Sequence, residues 1–201
     1  SYPFGVGSIF IIDPAYTLPL LVGVAAALMH KSQRGLRWNA AALSISSLYL
    51  GWTMVAQQRV TGLAHDALPV PQADHGHLLV TPTPFNSVLW RLVYTTPGQY
   101  YEAYYSWFDP EPQISWTAHP RGSDLIERYG DLDAVARIAA FSHGFYKMEL
   151  SPQGRVVLSD LRMGQEPTYS FRFDLGHRQP GGSDAVGEAP IRQLSMRPDL
   201  N

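Results

Sequence analysis

The chain has 201 residues with 16% charged side chains, a formal net charge of −2 and no cysteine, which is the size of one domain or of a small domain with an appendage. The charge balance excludes an electrostatic case for nucleic acid, and the lack of cysteine excludes a disulfide framework, a zinc ribbon and a thiol nucleophile. With 17 glycines and 16 prolines, many turns are expected and a long helical bundle is not.

The chain opens on Ser1-Tyr2-Pro3 rather than on methionine, as a processed or truncated product would. Its first part is a different material from the rest. Residues 1–76 carry four basic side chains (Lys31, Arg34, Arg37, Arg59) and three acidic ones (Asp13, Asp66, Asp74). Ile9–Met29 is a 21-residue run with the single charge Asp13, and Trp38–Gln58 is another 21 residues with none. At about 1.5 Å of rise per residue, either is long enough for a hydrocarbon core of about 30 Å. Neither shows the polar stripe of a surface helix. These runs predict a transmembrane helical hairpin over residues 1–59, with membrane lipid as its partner. The rival reading is a soluble α+β protein in which both helices are core.

Between the runs, His30–Arg37 holds Lys31, Arg34 and Arg37, so the positive-inside rule puts this loop in the cytoplasm. The C-terminal part then lies outside, which in a bacterial inner membrane means the periplasmic side. Asp13 has two readings. An ionisable group at the end of a span marks a functional site or a partner; alternatively, it caps a helix that begins with Pro14, a residue suited to a first turn.

Residues 60–78 read as a linker, punctuated by Gly62, Pro69 and Pro71, with His75 and His77 in a solvated loop rather than a metal site. Thr81-Pro82-Thr83-Pro84 must be extended and cannot be a central strand. Period-two alternation then predicts strands over Ser87–Tyr94, Tyr100–Trp107, Phe145–Leu150, Arg155–Leu161 and Thr168–Leu175. A helical stretch interrupts them, with Ser123 capping one helix to Tyr129 and Asp131 a second that His143-Gly144 stops. Residues 79–176 are therefore expected to form an antiparallel β-sheet of five or six strands with a helical crossover, and the fold class is α+β. Residues 177–201 are poor in large apolar side chains and read as a disordered tail.

No zinc helix, phosphate loop or nucleophile elbow is present. An aromatic concentration remains, from Phe85, Trp90 and Tyr94 to Tyr100–Phe108, with Asn86, Arg91 and Glu102 embedded in it. Such a face binds a small-molecule or lipid-like ligand through ring contacts and a few hydrogen bonds, with those three polar residues as substrate-contact candidates. It reads equally as core, with Arg91 and Glu102 a cross-strand pair. Asp160 and Arg162, at a strand end, read as a structural ion pair.

Four stretches bear on family. They are Ser8–Leu20 with its Ile12-Asp13-Pro14, Thr81–Asn86 running to Trp90-Arg91, Tyr100–Ser106, and Asp160–Gly164. Together they resemble the C-terminal half of bacterial inner-membrane metal-dependent hydrolases of the YdjM type. The resemblance implies a hydrolase of ester or phosphoester bonds, with a divalent metal, zinc above all, completed by histidines upstream of Ser1. On it, Asp13 stands where the family places a carboxylate near those histidines, and this chain alone is inactive. The alternative is a non-enzymatic, membrane-anchored envelope module that binds through its aromatic sheet.

Overall fold

The computed structural model describes residues 7–10, 12–70, 76–109, 113–177, 186 and 192–194. The first helix, α1 (Pro14–His30), is opened by Asp13, whose Oδ1 accepts the Ala15 N–H at 2.9 Å while Pro14 takes the first helical turn. The side chain thereby satisfies one of the donors that a helix start leaves open. Lys31 ends the helix in the left-handed region, at φ 40°. The second helix, α2 (Gln33–Asp66), runs for 34 residues. It begins inside the expected basic loop and consumes the first part of the expected linker.

The transmembrane hairpin expected over residues 1–59 is corrected. No helix among the described residues is long and apolar enough to cross a membrane. The physical reason lies in the boundaries. Ile9–Ile12 precede the N-cap, so α1 keeps 17 residues, about 25 Å at the usual rise. In α2 the apolar run is diluted by Ser44, Ser46, Ser47, Thr53, Gln57 and Gln58.

The two helices meet through small residues. A Cβ added to Gly23 would lie 2.6 Å from the Ala42 Cβ, and one on Gly35 would lie 2.9 Å from the Ala26 carbonyl oxygen. Along α2 the buried positions are Gly35, Ala42, Ser46, Thr53, Ala56, Val60 and Ala64, spaced at threes, fours and sevens as one helix face demands. Ser46 Oγ donates to the Tyr16 carbonyl of α1 at 2.9 Å. Large side chains point the other way: Leu18, Leu21, Val22, Leu28, Leu36, Leu43 and Leu48 are all exposed.

Strands β1 (His77–Pro82), β2 (Leu89–Thr95), β3 (Gln99–Ser106) and β4 (Thr117–Pro120) form a sheet in that order. The strand with the two-proline motif therefore sits at its edge, as proline requires. β4 pairs antiparallel with β3, placing His119 opposite Tyr100. The crossover follows as α3 (Ser123–Tyr129) and α4 (Asp133–Phe141), close to its sequence signals. Then come β5 (Tyr146–Leu150), β6 (Arg155–Asp160), β7 (Gly164–Gln165), β8 (Thr168–Tyr169), β9 (Arg172–His177) and β10 (Arg192–Leu194).

These last strands correct the single-sheet expectation. They make a second four-stranded sheet of order β10-β9-β6-β5, plus the two-stranded β7-β8. The alternation over Thr168–Leu175 belongs to two strands: β8 turns back on β7, while β9 pairs with β6. Within residues 177–201, β10 pairs antiparallel with β9 and Val186 is buried.

The chain divides into two compact units, Ser1–Pro69 with Val80–Leu92 and Ala103–Trp116, and Val70–Leu79 with Val93–Glu102 and Thr117–Asn201. The second unit has two apolar clusters. One packs Leu125 and Tyr129 of α3 and Val135 and Ile138 of α4 on Tyr146, Met148, Val156, Leu158 and Leu175; the other joins Val93, Tyr100, Phe145, Leu161 and Tyr169.

Candidate functional site

In the first unit, Asp13 is 1% exposed and both of its oxygens are engaged. Oδ1 takes the Ala15 N–H, and Oδ2 takes the Tyr49 hydroxyl at 2.8 Å. Tyr49 in turn lies 2.8 Å from Ser87 Oγ. Because the phenol's one proton goes to the carboxylate, the serine is the donor to Tyr49. Burial raises the Tyr49 pKa above its ordinary value; Ser87 pulls it back, and the Asp13 hydrogen bond and charge push it up again. The chain Asp13–Tyr49–Ser87 thus locks a helix start, α2 and the β1–β2 loop together.

The implied metal does not fit these residues. Among the described residues no group of three or more His, Cys, Asp or Glu side chains is placed to hold an ion, and the oxygens of Asp13 already accept hydrogen bonds. Asp13 is the helix cap of the second reading, and His75 lies outside the described residues.

The substrate-contact candidates belong to both units. Asn86 shapes its own turn: Oδ1 accepts the backbone N–H groups of Val88 at 3.0 Å and Leu89 at 2.8 Å, and Nδ2 donates to Thr83 Oγ1 at 2.9 Å. Arg91 and Glu102 are both buried, and they belong to different units. Trp90, Tyr94 and Tyr100 are fully enclosed, so this part of the aromatic concentration is core. Asp160 and Arg162 form the expected ion pair, at 2.7 Å.

A cluster the sequence reading passed over lies in the second unit. Arg121 holds its frame: its guanidinium donates to the backbone carbonyls of Tyr146 at 3.0 Å, Thr96 at 2.9 Å and Gly144 at 2.7 Å. Burial pulls the Arg121 pKa below its ordinary value. Next to it Gly122 sits at φ +77°, and a Cβ there would run into the Met148 carbonyl oxygen. Only glycine meets both demands. This close approach sets β5 beside the end of β4, where the Met148 N–H donates to the Arg121 carbonyl at 2.9 Å.

In that frame Lys147, itself 7% exposed, is gripped by two carboxylates, Glu149 at 3.0 Å and Glu166. Glu166 also accepts the Tyr100 hydroxyl, which lies 3.2 Å from that of Tyr169. The Lys147 ammonium stands over the Tyr169 ring at 5.3 Å, and His119 stacks on Tyr100 with centroids 5.1 Å apart. Burial would raise the Glu166 carboxyl, but hydrogen bonds from Lys147 and Tyr100 and the charges of Lys147 and His119 outweigh it, and the pKa falls below 4.5. Tyr100 moves far upward, by burial first and then through its bonds to Glu166 and Tyr169.

The cluster opens on a cleft of about 470 Å³, walled by His119, Pro120, Gly122, Asp124, Leu125, Lys147, Met148, Glu149, Leu150 and Glu166. Its size falls in the range of small-molecule sites. Its polar wall holds three carboxylates and one ammonium. A partial signal existed in the sequence, since Lys147 and Glu149 alternate on one strand, but Glu166 follows a turn and no local pattern ties it to them. Comparisons with protein-family models, curated proteins and solved structures give no match for this chain, leaving the YdjM-type likeness with the motifs quoted above as its whole basis.

Proposed function

We propose that the chain is a non-enzymatic binding module whose ligand is a small organic cation with an apolar stem, seated in the cleft of the second unit. The observation that carries this reading is the charge of the wall: Asp124, Glu149 and Glu166 surround one Lys147. Arg172 reaches Glu149 at 3.1 Å, and in formal charges at pH 7, with histidine counted neutral, three carboxylates face two cations, one carboxylate in excess. An incoming ammonium or guanidinium group supplies the missing positive charge. Pro120, Leu125, Met148 and Leu150 offer an apolar wall to its stem.

The shifted groups favour binding over proton transfer. A general acid or base works best with a pKa near the operating pH. Glu166 is pushed down and Tyr100 up, both away from neutrality, so at pH 7 they hold fixed charge states. Fixed charges suit recognition.

Titration with n-butylammonium, followed by amide chemical shifts, tests the reading. Saturable shifts at Asp124, Leu125 and Met148 are expected, with Asp124→Asn weakening binding about tenfold, the scale of one charge-assisted contact. Butyrate, of equal length and opposite charge, should leave these signals in place. Equal response to butyrate, or no response to the amine, refutes the proposal.

A further inference from the structure

We propose that the first turns of α2 form a second ligand site, one that binds the phosphate group of an organic ligand through Arg34 and Arg37 while Trp38 packs against the ligand's body. A shallow, open depression of about 300 Å³ lies there, bordered by Arg34, Arg37, Trp38 and Ala41. These positions, at intervals of three, one and three, project from one face of α2. The site is independent of the cleft described above and shares no residue with it.

Charge is the first ground. From Pro14 to His65 the sequence contains no aspartate or glutamate, so the hairpin offers its own cations no counter-charge. Among the described residues, neither Arg34 nor Arg37 takes part in an ion pair or a hydrogen bond. Lys31, at the end of α1, adds a third positive charge close by in the chain. Elsewhere in this protein guanidinium groups are put to use, Arg121 on three carbonyls and Arg162 on Asp160. Arg34 and Arg37, beside this depression, are not so used.

Shape is the second ground. A guanidinium presents a planar fork of donors that matches the oxygens of phosphate in bidentate fashion, and two forks one helical turn apart can grip one dianion from both sides. Trp38 is 62% exposed beside them. An indole face in that position stacks on a planar ring or covers an apolar stem. An arginine pair supplies the charge and the indole supplies the contact area; neither alone makes a site.

Quenching of tryptophan fluorescence by AMP tests the proposal, with Trp38→Phe identifying the reporter. AMP is expected to bind saturably, inorganic phosphate more weakly, and adenosine, which lacks the phosphate, at least about tenfold more weakly than AMP. Arg34→Gln and Arg37→Gln should each lower AMP affinity about tenfold, with helical circular dichroism unchanged because both side chains are exposed. Vesicles of phosphatidylglycerol and of phosphatidylcholine form the other arm. Retention on the former alone, lost in both arginine variants, assigns the phosphate to a lipid headgroup rather than a soluble ligand. Adenosine binding as tightly as AMP overturns the proposal. So does any binding that both arginine variants leave intact.

Discussion

The helices of the first unit and the core of the second obey opposite packing rules. In the first, the helices bury glycine, alanine, serine and threonine and expose leucine, valine and tryptophan. In the second, tyrosine, phenylalanine, leucine and valine go inside, and the buried charges Lys147, Asp160 and Asp174 are paired by Glu166, Arg162 and Arg155. Hydrophobicity therefore reports burial in the second unit and not along the helices of the first. Between the helices the axes come so close that only small side chains fit, and the gain is close van der Waals contact rather than large apolar area. Between sheet and helices the spacing admits whole rings, and area removed from water dominates.

Disturbing the frame of the second unit should give the largest effect. Arg121→Ala removes a charged donor from three backbone carbonyls at once, and the expected loss is about 3 kcal/mol in urea denaturation. Arg121→Lys should recover less than half of it, because an ammonium cannot reach three diverging acceptors from one plane. A loss below about 1 kcal/mol would mean that water replaces the guanidinium readily, and that the second unit is not held by this residue.

The same contrast explains what could be read from the sequence. The crossover helices, the edge position of the Thr81–Pro84 strand and strands β3, β5 and β6 were legible because alternation and prolines act locally, though the helices are capped at Gly122 and Leu132 rather than at Ser123 and Asp131, and β4 carries no such pattern. The spans were not. Composition from Ile9 to Met29 says nothing of where the helix starts, and Asp13 as N-cap removes four apolar residues from it. Nor could the sequence separate one sheet from two, since the break at Ser170-Phe171 depends on β8 turning back to β7. The bonds of Asn86 and Asp13 are structural, to a turn and to a helix start. The cleft was missed for a different reason: Tyr100, Lys147 and Glu166 are 19 to 66 residues apart and meet only through tertiary folding.

If small-residue contact is what joins the hairpin, adding one methyl group should loosen it. Gly23→Ala places a Cβ 2.6 Å from that of Ala42. Alanine gains about 1 kcal/mol of helix propensity over glycine, and overpacking costs roughly 1–3 kcal/mol. The net expectation is a loss of about 1 kcal/mol, read from the thermal transition of the helical signal. Adding Ala42→Gly returns the space, so the double variant should lose less than the two single changes predict together. A stabilised Gly23→Ala protein would show that the helices part freely, and the contrast between the units would fail.

The smallest effect concerns pH and belongs to the second unit alone. Because the folded pKa of Glu166 lies below its ordinary 4.5, the folded state favours the carboxylate. Its contribution is fully present above pH 4.5 and fades as the pH falls through the lower folded value. Glu166→Gln removes that contribution. At pH 7 the variant should therefore be less stable than the parent chain, and the gap should close on acidification below pH 4.5 as the parent's carboxylate takes up its proton. Urea midpoints at neutral and acid pH measure the gap directly. The side chain is 21% exposed, so solvent screening keeps the effect modest. A gap of equal size at both pH values would mean that glutamine disturbs packing and that the bonds to Lys147 and Tyr100 contribute no charge-dependent stability, which would remove the fixed-charge character on which recognition of a cation in the cleft depends.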